Sequence, residues 1–150
     1  MEKNTKTLAK YLYSKGVSSP LKLQKLLFFI RYEELKNKTT NNSFFKKNKN
    51  FQAWIYGPVN FVSYRFMQKL FMKLDEKDTY ILSNEEIKLI DKKYKKYFDK
   101  WNEYSPEELI EKSHKNLAWI KARKGIDPDC PSREVLEEDE DFLKFKNENN

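Results

Sequence analysis

Between Leu21 and Leu35 the chain carries apolar side chains on two helical stripes at once. Leu23, Leu26, Leu27 and Ile30 form one stripe, and Leu21, Phe28, Tyr32 and Leu35 form the other. An amphipathic surface helix has a single stripe, so a helix with two must be covered on more than one side. The rest of the chain therefore has to wrap around this segment. Its start is marked by Ser19, which can accept from the first free N–H groups, and by Pro20, whose missing N–H costs nothing in a first turn. Lys22 and Lys25 lie within it and are expected to reach water along their stems.

The wrapping elements read mainly as helices. Only 3 Gly and 5 Pro serve 150 residues, which disfavours a many-hairpin sheet protein, while 11 Phe, 9 Tyr and 3 Trp supply a core. Residues 5–15 form a first helix with Leu8, Tyr11 and Leu12 inward, closed by Gly16. Ser83 with Glu86, and Ser105 with Glu108, have capping-box spacing and open two further helices. The first of these runs Ile87, Ile90, Tyr94, Tyr97 and Trp101 along one seam and leaves Lys88, Lys92, Lys95 and Lys96 off it. One stretch differs. Phe51 to Tyr56 alternates like a strand, with Phe51, Ala53 and Ile55 on one face and Gln52, Trp54 and Tyr56 on the other. Gly57-Pro58 is expected to stop that strand, placing Pro58 in the first turn of a helix whose inward face is Val59, Val62, Phe66, Leu70 and Leu74. Tyr80-Ile81-Leu82 is its expected antiparallel partner. The fold expected is mainly α, a compact helical domain over residues 1–150 with a small two-stranded antiparallel β element. A polar surface loop covers 37–50. Residues 126–150 form an acidic carboxy-terminal extension whose end frays.

Charge and reactive groups narrow the function. The net charge is +7, divided into +12 over residues 1–100 and −5 over residues 101–150. Such a division attracts nucleic acid, an acidic partner or the chain's own tail. Lysine outnumbers arginine 26 to 4, however, and a phosphate- or base-reading surface favours the planar arginine fork, so weak, non-specific nucleic-acid binding is expected. No apolar run approaches the roughly 20 residues that span a bilayer, and the single Cys130 cannot form an internal disulfide, which points to a cytoplasmic protein with no membrane partner. His114 and Cys130 are the only imidazole and thiol. Asp129 beside Cys130 disfavours thiolate, and neither a paired zinc-ligand spacing nor a glycine-rich phosphate cradle is present. The chain is read as non-enzymatic, with no catalytic residue, no metal and no cofactor. Ser113-His114, Trp119 and Arg123 still bring an imidazole, an indole and a guanidinium to one helix end. Two readings stay open: a structural histidine against an aromatic ring, or a recognition patch of the residue types that anchor interfaces.

Three motifs in order resemble the Panacea domain family of SocA-like antitoxins and phage-associated GepA-like proteins. Leu21-Lys22-Leu23-Gln24-Lys25-Leu26-Leu27 is similar to the family's opening helix motif, with Lys22, Gln24 and Lys25 its polar members. Ala53-Trp54 followed by Tyr56-Gly57-Pro58-Val59 is similar to its central motif, in which Trp54, Tyr56, Gly57 and Pro58 are expected to be architectural. Ser105 to Leu109, Ser113-His114, Trp119 and Ala122-Arg123 resemble its third motif, with Ser113 where threonine is usual and Ala118 where proline is common. The resemblance covers about residues 19–125. It implies a compact helical fold with a small β element, no catalytic residues, and an antitoxin role: binding a cognate protein toxin encoded nearby, in some members as an adaptor that hands the toxin to a AAA+ protease. His114, Trp119 and Arg123 are then the expected partner-binding residues. The alternative carried beside it is a phage-associated basic nucleic-acid-binding accessory protein.

Overall fold

The computed structural model describes residues 1–47, 50–72 and 80–147. In chain order these hold α1 (Thr5–Ser14), α2 (Pro20–Lys36), strands β1 (Gln52–Trp54) and β2 (Gly57–Val59), α3 (Phe61–Phe71), α4 (Asn84–Asn102), α5 (Pro106–Ser113) and α6 (Leu117–Ala122). A 3-10 turn follows at Glu140–Leu143. The fold is mainly α, with one two-stranded antiparallel hairpin.

Helix α2 is the centre. Every residue from Leu23 to Glu34 is buried, because α1, α3, α4, α5 and the hairpin all pack on it. Caps fix the helix ends where the sequence placed them. Ser19 Oγ accepts from Lys22 N–H, both capping boxes form, and Gly16 takes a φ of +97° just past α1. Aromatic rings fill the space around α2: Phe29 stacks on Trp101 with ring centres 4.0 Å apart, and Phe28 meets Phe51 and Phe142.

Full burial obliges the polar members of α2 to find partners. Glu34 accepts from Tyr94 Oη at 2.7 Å, Ser43 Oγ at 2.6 Å and Arg31 Nη1 at 2.7 Å. Glu33 accepts from Lys100 Nζ at 2.9 Å and Trp101 Nε1 at 3.0 Å. Lys25 departs from expectation: it does not reach water but is fully buried, its amine donating to Pro58 O at 2.7 Å.

The β element also differs from its expected form. The strand does not end at Gly57-Pro58. It turns at Ile55-Tyr56 and returns, pairing Gln52 with Val59, Ala53 with Pro58 and Trp54 with Gly57. The other edge of β1 is taken by the carboxy-terminal segment, with Ala53 N–H donating to Glu134 O at 2.7 Å and Leu136 N–H to Phe51 O at 2.8 Å. Tyr80 and Leu82 are core residues instead, and Tyr80 Oη donates to Phe66 O at 3.1 Å. Helix α3 starts at Phe61 rather than Pro58, because Asn60 is its cap: Asn60 Oδ1 accepts from Ser63 N–H, and Gln24 Oε1 holds Asn60 N–H at 2.8 Å. Its buried face is consequently Ser63, Met67 and Leu70, with Phe66 only partly covered and Val59 in β2; Leu74 lies outside the described residues. Within the 37–50 loop, Phe44 and Phe45 are buried.

The acidic segment is built into the fold. Phe142 is fully buried, and Leu117 N–H donates to Lys144 O. Glu138 takes Arg31 Nε and Nη2 at 2.7 and 2.8 Å. The attraction of a basic front for its own tail is thus satisfied at a specific pair of residues.

A candidate partner-binding site around the hairpin

A type I′ hairpin turn needs positive φ at both central residues and a type II′ turn at the first, and neither Ile55 nor Tyr56 adopts it; instead Gly57, directly after them, has φ +108°. A side chain at Gly57 would also meet matter. An added Cβ would run into Ser113 Oγ and come within 2.8 Å of Lys25 Cε. Glycine is required here twice over, by conformation and by the close approach of α2 and α5.

The hairpin is held by side chains that reach its backbone. Arg123 Nη1 donates to Ala53 O at 2.8 Å, Trp119 Nε1 to Trp54 O at 2.9 Å, and His114 Nε2 to Ile55 O at 2.9 Å. On the returning strand Lys25 Nζ donates to Pro58 O. The local sequence explains the alignment. His114 ends α5, Asn116 caps α6, and Trp119 and Arg123 stand four apart on one face of α6 and just past its end. The imidazole stacks on the indole at 4.4 Å, and the guanidinium lies 5.6 Å from the indole centre. Arg123 also donates from Nη2 to Asp127 O at 3.1 Å and Cys130 O at 2.7 Å, which ties down the loop after α6.

Sequence reasoning brought His114, Trp119 and Arg123 together, and so does the structure. It turns them inward. Arg123 is only 7% exposed, and His114 and Trp119 are half-buried with their donors on carbonyls. Burial, with the charges of Lys25 and Arg123, holds the His114 pKa below its usual value despite the hydrogen bond to Ile55 O. Because a carbonyl only accepts, the neutral ring carries its proton on Nε2. Burial pushes the Lys25 amine down to about 7, and no carboxylate among the described residues pairs with it.

The outer side of the hairpin is different in kind. Tyr56, at the turn, is 62% exposed. Beside it opens a cavity of about 430 Å³ walled by Leu21, Trp54, Ile55, Val59 and Arg133, with Lys25 at its back. Arg133 and Arg65 both lie over the Phe61 ring, 5.4 and 5.9 Å from its centre. Both are exposed, and neither guanidinium has a hydrogen-bond or carboxylate partner among the described residues. The sequence analysis missed this pair, since Arg65 and Arg133 are distant along the chain. The scarcity of arginine was the available signal: four in all, two buried in backbone or carboxylate contacts and two left on one aromatic ring.

Among the described residues no group of three or more His, Cys, Asp and Glu side chains could hold a metal ion, and no helix is long and apolar enough to cross a membrane. Fold and site define a helical module around a clamped hairpin, with a largely apolar cleft edged by Arg133 on its outer face. The chain belongs to the family described as Antitoxin SocA-like, Panacea domain, whose model matches residues 23–120, a span that holds α2 from its first turn onward, the whole hairpin and most of the clamp. Neither the curated proteins nor the solved structures contain a match to the chain.

Proposed function

We propose that the protein is a non-enzymatic, antitoxin-type binding protein that neutralises a cognate protein toxin by direct contact in the cytoplasm. Membership of the antitoxin family carries this reading. Two features of the site support it. The polar side chains that converge on the hairpin, Lys25, His114, Trp119 and Arg123, are engaged by backbone carbonyls, which is an architectural use. The outer face offers exposed tyrosine, an apolar cleft and unpaired arginines, the composition of a protein-contact surface.

The test is protection in cells. The protein is expressed together with the product of the adjacent gene under a separate inducible promoter, and growth is followed. Restored growth supports the reading; unrelieved toxicity, with the protein present and folded, overturns it. Toxin half-life in strains with and without their AAA+ proteases then separates delivery from sequestration. Protease-dependent shortening means delivery, and an unchanged half-life means a stable complex.

A nucleic-acid accessory role has one observation in its favour. Lys88, Lys92, Lys95 and Lys96 stand exposed along α4. Lys95 is paired with Asp99 at 2.6 Å, and the face carries no arginine or aromatic platform. That composition fits weak association with a polyanion.

A further inference from the structure

We propose that the toxin docks on the outer face of the hairpin, placing one large apolar side chain in the cleft beside Tyr56 while carboxylates flanking that residue pair with Arg133 and Arg65. The inference rests on the antitoxin reading and names the surface and the partner chemistry that it leaves open.

Three observations converge on this face. The cleft, about 430 Å³, lies in the range of roughly 300–1,000 Å³ in which proteins bury a ligand group. Its walls are mainly apolar, Leu21, Trp54, Ile55 and Val59, with Leu21 itself partly exposed and with Lys25 and Ser132 the polar groups beside Arg133. The carbonyls of Trp54, Ile55 and Pro58 are already paired, so a polar occupant would lose hydration there for little beyond the Lys25 amine and Ser132. An aliphatic or aromatic side chain loses nothing of the kind.

Charge selects what surrounds that side chain. Arg133 lines the cleft, and Arg65 shares the Phe61 ring with it from an adjoining hollow that also holds Phe66 and Lys69; neither guanidinium has a carboxylate among the described residues. The other two arginines of the chain are buried and satisfied by Glu34, Glu138 and three carbonyls. Guanidiniums grip carboxylates in two places at once, so an acidic segment is the complementary partner. A nucleic acid fits the face less well. It needs a groove of cations following a phosphate backbone with aromatic platforms for its bases. Here a mainly apolar cleft is bordered by Arg133, and the nearby cations Arg65, Lys69 and Lys6 gather around a separate hollow.

The hairpin suits the task because it is rigid. Four side chains fix its carbonyls and Gly57 admits no slack, so Trp54 and Tyr56 are presented already ordered, which lowers the entropy lost on binding.

The probes are fluorescein-labelled hexapeptides with a central Trp, Phe, Leu or Ala flanked by either Asp/Glu or Lys, read by anisotropy against the full chain. Acidic peptides with Trp, Phe or Leu should bind, their Ala and Lys-flanked counterparts at least about tenfold more weakly. Arg133→Glu, Arg65→Glu and Tyr56→Ala should each reduce binding of the best acidic peptide by about tenfold or more, while Lys88→Glu on α4 should not. All these positions are exposed, and circular dichroism with thermal melts verifies that each variant is folded. Equal binding of acidic and basic peptides, or unchanged binding in the arginine variants, overturns the inference. Tighter binding of a single-stranded 20-mer oligonucleotide, abolished by the same substitutions, also overturns it. In the growth assay, full protection by the folded Arg65→Glu/Arg133→Glu double variant removes this docking face and leaves the antitoxin reading intact. Absence of protection by the wild type removes that reading, and the peptide comparison then decides the docking face alone.

Discussion

Lys25 holds its amine inside the protein against a single carbonyl, with no compensating carboxylate among the described residues. Its folded-state pKa of about 7 lies well below the ordinary lysine value of 10.5. Between these two values the unfolded chain binds a proton that the folded chain does not. Stability contributed by this group therefore rises with pH through that window, by at most about 1.4 kcal/mol per pH unit. Below about pH 7 both states are protonated and the dependence ends. Tyr11 and Tyr94 have pKa values raised by burial and by neighbouring carboxylates, so they act in the opposite sense at pH above the ordinary tyrosine value. Comparing wild type with Lys25→Met by urea unfolding at pH 7, 8 and 9 cancels the tyrosines. Wild type should gain on the variant across the series; a constant difference would mean that the buried amine stays charged. Gly57 makes a second prediction at this scale. Gly57→Val should cost about 1–3 kcal/mol, for its φ of +108° and its contacts with Ser113 and Lys25. Gly125→Ala has a φ of +83° but open space, so it should cost less. Equal losses would mean that the close approach at Gly57 is unimportant.

At the level of elements, the hairpin depends on α6. Arg123→Ala removes the donor from three carbonyls, on Ala53, Asp127 and Cys130, and should destabilise the protein by about 2–3 kcal/mol. Hydrogen exchange should rise first at the amides of 52–59 and 127–130; a uniform rise would argue against a local clamp. The helices were the legible part of this fold, since Ser19, Ser83, Ser105 and Gly16 are local signals that act within a turn or two. The hairpin was not. Its turn residues Ile55 and Tyr56 carry no glycine or asparagine, and the positive φ falls one residue later, so a return strand looked like a stop. The inward aim of His114, Trp119 and Arg123 was also hidden: their acceptors lie about 60–70 positions earlier in the chain, and nothing at 114–123 announces them. Lys25 misled for the same reason, its acceptor being created by the hairpin.

Over the whole molecule, charge is both used up and left over. The acidic tail neutralises Arg31 and part of Lys121, while the lysines of α4 remain in water. Wild type should shift a duplex or single-stranded DNA in a gel only at low salt and without sequence preference. Affinity should fall by orders of magnitude on reaching physiological salt, as counterion release requires. Sequence-selective binding that survives physiological salt would favour the nucleic-acid role instead.

The placement of the carboxy-terminal segment bears on how the chain is made. Residues 134–136 close the free edge of β1, and Phe142 fills a space against Phe28 on the central helix. These contacts join residues 134–142 with elements translated more than eighty residues earlier. Such distant pairings form late, and until they form an apolar flank of α2 stays open. A nascent chain stopped short of Phe142 therefore exposes that flank, which makes truncated products natural targets for chaperones and proteases rather than partial copies of the protein.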